Sequence, residues 1–189
     1  PAEAVDNSLL PHVTESGVKI MSMNMLLPNA TDPVLWRGPV ISGVVKQFWE
    51  DVQWGDVDFL FVDMPPGTGD VPLTVFQSLP INGILIVSTP QSLVSMIVDK
   101  AMNMAQMMQV PVLGMVENMR FLRCPDCGKE IPLFGSDDHV DNHTVPVLER
   151  IPLDPTVAAA CDAGKLEQAE IDYLAKTAVM LTETFGKKQ

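Results

Sequence analysis

Short apolar runs alternate with helical patterns along this chain, and that alternation limits the fold more than any other feature. The runs at residues 18–23, 59–63, 83–88, 112–117 and 147–151 are short and rich in Val, Ile or Phe, as buried strands are. Between the first two, Val40, Ile41, Val44, Val45, Phe48, Trp49 and Val52 recur at three- and four-residue steps, forming one apolar stripe whose start Gly38 and Pro39 mark. A second helix is expected from about Leu93 to Gln109 and a last one from about Glu167 to Phe185. Strands and helices in this order predict an α/β fold, a mostly parallel sheet with helices on both faces. The 189 residues suit one domain without internal repeats. From about 119 to 145 the pattern gives way to Cys, Pro, Gly, Asp and His, which reads as an insert that carries function. Met96, Met102, Met104, Met107 and Met108 on the second helix serve either as adaptable core filling or as a Met-rich contact surface.

Charge narrows the partners. A net charge of −12 opposes a phosphate backbone and an anionic bilayer alike, so neither nucleic acid nor membrane is expected as a partner. No run approaches the length of a membrane span, and the first twenty residues carry Glu3, Asp6 and Glu15 without the basic start of a signal peptide. The expected location is cytoplasmic. Of three cysteines, Cys124 and Cys127 have Cys-x-x-Cys spacing, which in a reducing compartment points to metal binding or redox chemistry. Cys161, after three alanines, reads as a small buried residue on a helix.

The apolar run ending at Asp63 continues into Met64-Pro65-Pro66-Gly67-Thr68-Gly69-Asp70. An acidic residue at the carboxyl end of a buried strand, followed by a Pro- and Gly-rich turn, resembles the Walker B and switch II region of a nucleotide hydrolase. Asp63 can hold the water shell of Mg2+ there, and Gly67 and Gly69 allow close backbone approach to a terminal phosphate. The simpler alternative is a tight turn in which Asp70 caps a helix that tolerates Pro72 in its first turn.

Trp36-Arg37-Gly38-Pro39, the Asp63 to Asp70 octapeptide, Thr89-Pro90-Gln91, the run from Pro111 through Glu117-Asn118-Met119, Cys124-Pro125-Asp126-Cys127-Gly128 and Ile151-Pro152-Leu153-Asp154-Pro155 occur in this order. Together they resemble the Mrp/ApbC/Nbp35 family of iron-sulfur cluster carrier ATPases, deviant P-loop proteins related to MinD and the nitrogenase iron protein. The resemblance implies a homodimer that binds ATP and Mg2+, holds a bridging [4Fe-4S] cluster through Cys124 and Cys127 of each copy, and passes it to apo iron-sulfur client proteins. It assigns Asp63 to Mg2+ and Gly67 to the terminal phosphate. Asn118 matches the position that reads the adenine edge, with Pro152 and Asp154 lining the base. For Asp154 a helix N-cap with Pro155 in the first helical position is the competing role, and for Asn118 a plain loop hydrogen bond.

The 189 residues contain no Gly-x-x-x-x-Gly-Lys followed by Ser or Thr. The expectation is therefore the C-terminal portion of a P-loop NTPase domain, a fragment without its Walker A half, inactive as an ATPase alone and prone to self-association. Two rivals to the cluster carrier stand. Cys124 and Cys127 with His139 and His143 approach the spacing of a Cys2His2 zinc site, which would suit a noncatalytic Zn2+ scaffold, although Pro132 and Gly135 interrupt the helix such a finger needs. A MinD-like regulatory ATPase leaves the cysteine pair without a use.

Overall fold

A computed structural model of the chain describes residues 4–5, 8–27, 29, 31–32, 38–134 and 145–186. They form two compact units, Pro1–Pro80 and Ile81–Gln189.

In the first unit, strand β1 (Ala4–Val5) pairs antiparallel with β2 (Ser8–Leu9), and β3 (His12–Val13) pairs antiparallel with β4 (Lys19–Ile20). The apolar run from 18 to 23 yields only these two strand residues. Ser22 ends it by accepting from the N–H of Asn24 and opening a 3-10 turn at Met23–Leu26. Helix α1 (Gly38–Glu50) forms where the apolar stripe predicts it and packs on α2 (Asp70–Ser78). Val44 and Val75 are buried, and a 2.8 Å hydrogen bond joins the hydroxyls of Ser42 and Thr74. Asp70 is the first residue of α2, not its cap, a place held by Gly69. Its carboxylate lies against Gly38, where an added Cβ would stand 2.7 Å from Asp70 Oδ2. A negative charge there complements the N-terminal ends of both helices.

The run from 59 to 63 departs from the expectation. Among the described residues it joins no sheet, although the rings of Phe59 and Phe61 stack with centroids 6.4 Å apart. Phe59, Leu60, Phe61 and Val62 are all exposed, Phe61 to 72%. Apolar, β-forming residues give a segment the propensity for a strand, but only a neighbouring ladder supplies its hydrogen bonds.

The second unit is a four-stranded sheet. Strand β5 (Ile84–Ser88) lies parallel to β6 (Val112–Arg123), β8 (Val147–Pro152) lies parallel to β6 on its other side, and β7 (Glu130–Pro132) returns antiparallel along the far end of β6. Helix α3 (Ser92–Met107) is the crossover between β5 and β6. Ile86, Val98 and Met115 form the buried core, with Val94, Met102, Val112 and Val147 packed against it. The methionines of α3 divide: Met102 joins that core, while Met96 and Met107 face solvent. Helix α4 (Pro155–Asp162) follows β8. Cys161 lies on α4 as expected but is exposed, because this short helix of small residues has none of its residues buried.

The last helix, α5 (Ala175–Phe185), starts eight residues later than its pattern suggests. Its N-cap, Leu174, offers no side-chain acceptor; Glu149 of β8 supplies one, its Oε1 accepting from the N–H groups of Lys176 at 2.8 Å and Thr177 at 3.2 Å. No helix among the described residues is long and apolar enough to cross a membrane.

Candidate functional site

The two cysteines of the Cys-x-x-Cys pair stand on the turn of a β-hairpin. Strand β6 outruns its predicted end at Glu117 because its last three residues pair with β7, Phe121 with Pro132, Leu122 with Ile131 and Arg123 with Glu130. In the turn, the N–H of Cys124 donates to Lys129 O and that of Gly128 to Cys124 O, both at 2.9 Å. Gly128 has φ +72°, a conformation that a residue with a Cβ adopts only at a cost. An Arg123–Glu130 ion pair at 3.1 Å clamps the neck, with the Arg123 guanidinium over the Phe121 ring.

Cys124 is half-buried and Cys127 exposed, and both are free thiols. The backbone N–H of Cys127, then that of Asp126, then the Cys127 thiol hydrogen-bond to Cys124 and hold its pKa below the ordinary thiol value. Donors aimed at sulfur favour the thiolate, the form that ligates metal. The donor set is two soft sulfurs held on a short turn, which fits a thiolate-bound iron or zinc centre. Among the described residues no third His, Cys, Asp or Glu joins the pair in a metal-holding group. His139 and His143, the further ligands of the zinc alternative, lie outside the described residues, as do Trp36 and Arg37.

Upstream of the hairpin, β6 is irregular. Glu117 pairs with Arg150 and Phe121 with Pro152, so four steps on β6 match two on β8. Two extra residues make this a bulge. Within it Met119 has φ +54°, and its N–H donates to Asn118 Oδ1 at 2.9 Å. Glu117, just before, is 1% exposed. Its Oε2 accepts from Arg150 Nε at 3.0 Å and lies 3.7 Å from Arg120 Nε, while Oε1 is buried without a hydrogen-bond partner. Sequence reasoning singled out neither the carboxylate nor the two arginines; a charged residue inside the apolar run from 112 to 117 was the available signal.

The residues assigned to the nucleotide fall in both units. Asp63 and Gly67 belong to the first, Asn118, Pro152 and Asp154 to the second. Asp63 is exposed. Gly67 has φ +91°, and no atom lies within 4 Å of where its Cβ would be, so glycine is needed there for backbone conformation rather than for lack of room. Pro152 is buried at the end of β8, and Leu153 N–H donates to Phe121 O. Asp154 N-caps α4: its Oδ1 accepts from the N–H of Thr156 at 2.8 Å and from that residue's hydroxyl at 2.7 Å, while Tyr173 OH donates to Oδ2 at 2.6 Å. Those donors, Tyr173 first, hold the Asp154 carboxyl below the usual carboxylate range, and the Tyr173 phenol is raised in turn, chiefly by that bond.

Known proteins resemble this chain in sequence and fold. Residues 1–184 match the family described as ParA, NUBPL iron-transfer P-loop NTPase. An iron-sulfur cluster carrier protein of Clostridium perfringens is 42% identical over 170 residues, 88% of this chain and 60% of that protein. Another from Methanocaldococcus jannaschii is 44% identical over 160 residues, 82% of this chain and 55% of its own length. The chain thus spans little more than half the length of these relatives. Among solved structures, a nucleotide-binding protein from Archaeoglobus fulgidus in complex with ADP, with Co found in it, superposes with a TM-score of 0.76 at 38% identity, covering 91% of this chain and 68% of that one. The α/β architecture, the order of the motifs and these matches agree, and the chain belongs to the NUBPL iron-transfer P-loop NTPase family.

Proposed function

We propose that this chain is the cluster-holding portion of an iron-sulfur cluster carrier. Two copies meet so that Cys124 and Cys127 of each supply the four thiolates of a bridging [4Fe-4S] cluster, which is then passed to apo client proteins. The carrying observation is the cysteine hairpin: a thiol with backbone N–H donors aimed at it, in a turn that offers two sulfurs. Two thiolates are half of what a four-cysteine cluster needs, and a two-fold axis through the hairpin supplies the rest.

The nucleotide residues complete the reading. Asp63 serves Mg2+, Gly67 presents its N–H to the terminal phosphate, Asn118 reads the adenine edge, and Pro152 and Asp154 shape the base pocket. The cap on α4 suits Asp154 to that last task, since its engaged oxygens fix the path of the chain beyond Pro152. ATP hydrolysis belongs to the longer protein that carries a phosphate-binding loop, in a single NTPase domain of which this chain is the C-terminal part with its insert at about 119–145. The proposed setting is cytoplasmic, where a reducing environment suits a Cys-x-x-Cys pair that binds metal.

Anaerobic reconstitution with iron and sulfide tests the proposal. About four irons per two chains and the broad visible absorption of a thiolate-bound cluster are expected, both lost in Cys124→Ala. One tightly held zinc per monomer, dependent on His139 and His143, would show the zinc scaffold instead.

A further inference from the structure

We infer that Asn118 and Met119 are positioning residues for the cysteine hairpin: a left-handed joint in β6, held by the Asn118 carboxamide, sets the direction in which Cys124 and Cys127 are presented. The inference rests on the proposed two-copy cluster site, because only a site shared between copies depends on where the hairpin points.

Three observations converge on the joint. Met119 has φ +54°, a region that suits Gly and costs other L-residues roughly 1–2 kcal/mol; such strain persists only where its surroundings impose it. The imposing contact is present, since Met119 N–H donates to Asn118 Oδ1 at 2.9 Å. The joint also falls where β6 slips by two residues against β8, between Glu117, anchored by Arg150, and Phe121, anchored by Pro132 and Pro152. A bulge at such a place bends its strand and re-aims the residues beyond it. Here those residues form the hairpin, whose first cysteine comes six residues after Asn118, a path of ~20 Å along a strand. A small rotation at the joint therefore moves the sulfurs far more than it moves Glu117.

The carboxamide has two ends. Its oxygen is engaged with the joint, which leaves its NH2 group as the donor toward a nucleotide base. One side chain then serves base and hairpin together.

Cobalt(II) absorption of the whole chain reads ligand number directly, because four-thiolate and two-thiolate sites differ in their visible bands. The unmodified chain is expected to give four-thiolate cobalt shared by two copies. Asn118→Ala should lower the affinity of that site about fivefold and shift the bands toward two-thiolate ligation, with the far-ultraviolet circular dichroism unchanged. Adding Met119→Gly should restore the bands, since glycine adopts the left-handed conformation unaided. If Asn118→Ala does not fold, Met119→Val replaces it: valine resists positive φ, and position 119 is outside the core. Four-thiolate bands that survive Asn118→Ala or Met119→Val, or that Met119→Gly fails to rescue, would overturn the positioning role alone. Mixed thiolate and imidazole ligation in the unmodified chain would remove the two-copy site and this inference with it.

Discussion

Replacing Glu117 by Gln tests how much the buried carboxylate contributes. The substitution keeps shape and volume and removes one charge. Breaking a buried ion pair by neutralising one partner costs about 3–5 kcal/mol. Arg150, which makes the 3.0 Å contact, has a side chain 48% exposed, so water recovers part of that loss. Arg120 is buried but 3.7 Å away, an electrostatic contact rather than a hydrogen bond. Against the loss stands Oε1, buried without a partner; an unsatisfied group costs about 1–3 kcal/mol, more when charged, and neutralisation relieves some of it. The net expectation is a destabilisation of about 2 kcal/mol. At ~2–4 °C per kcal/mol for a chain of this size, Tm should fall by about 4–8 °C. Arg150→Gln should cost less, about 1 kcal/mol, because Arg120 still faces the carboxylate. Urea titration and thermal melts followed by circular dichroism measure both. Should Glu117→Gln match the unmodified chain within ~0.5 kcal/mol, the scale of ordinary surface substitutions, the carboxylate does not hold β6 to β8 through its charge.

Three other tests address separate parts of the chain. Tyr173 is the only tyrosine, so absorbance titration reads it alone: its midpoint should lie above the ordinary phenol value of ~10 and fall toward it in Asp154→Asn. The raised Tyr173 contributes stability below the unfolded phenol value that is lost as pH rises through its folded pKa, whereas the lowered Asp154 contributes stability above the unfolded carboxyl value that is lost as pH falls through its folded pKa. Gly114→Ala should destabilise by about 1–3 kcal/mol, because its Cβ would stand 2.6 Å from Leu148 Cγ; Leu148→Ala in the same chain should recover part of that loss in melts, and full tolerance of Gly114→Ala would refute the close packing. Phe61→Glu should lower self-association in light scattering while leaving the circular dichroism unchanged, since Phe61 is the most exposed residue of an apolar run; unaltered scattering would acquit that run.

What the sequence made legible was largely local. The Val- and Ile-rich run at 83–88 became β5 within a residue, and the stripe from Val40 to Val52 became α1, ending two residues early. The Asp154-Pro155 pair declared its cap, and the Cys-x-x-Cys spacing marked the hairpin. Features that needed a distant partner were hidden. The run from 59 to 63 has every local property of a strand and finds no ladder among the described residues. Strand β6 continued through Arg123 because β7 came back to meet it, in a region whose composition suggested an insert. A methionine at positive φ leaves no trace in composition, and the donors aimed at Cys124 come from backbone that any residue would supply. The buried setting of Glu117 depends on Arg150, 33 residues away.

Because Glu149 closes the first turn of α5 from a neighbouring strand, the final helix cannot begin on its own authority. Its eleven residues fall short of the ~12–15 at which isolated helices become even marginal in water. Strand and helix should accordingly open as one cooperative block, with the amides of Lys176 and Thr177 exchanging with solvent no more slowly than those of β8 itself.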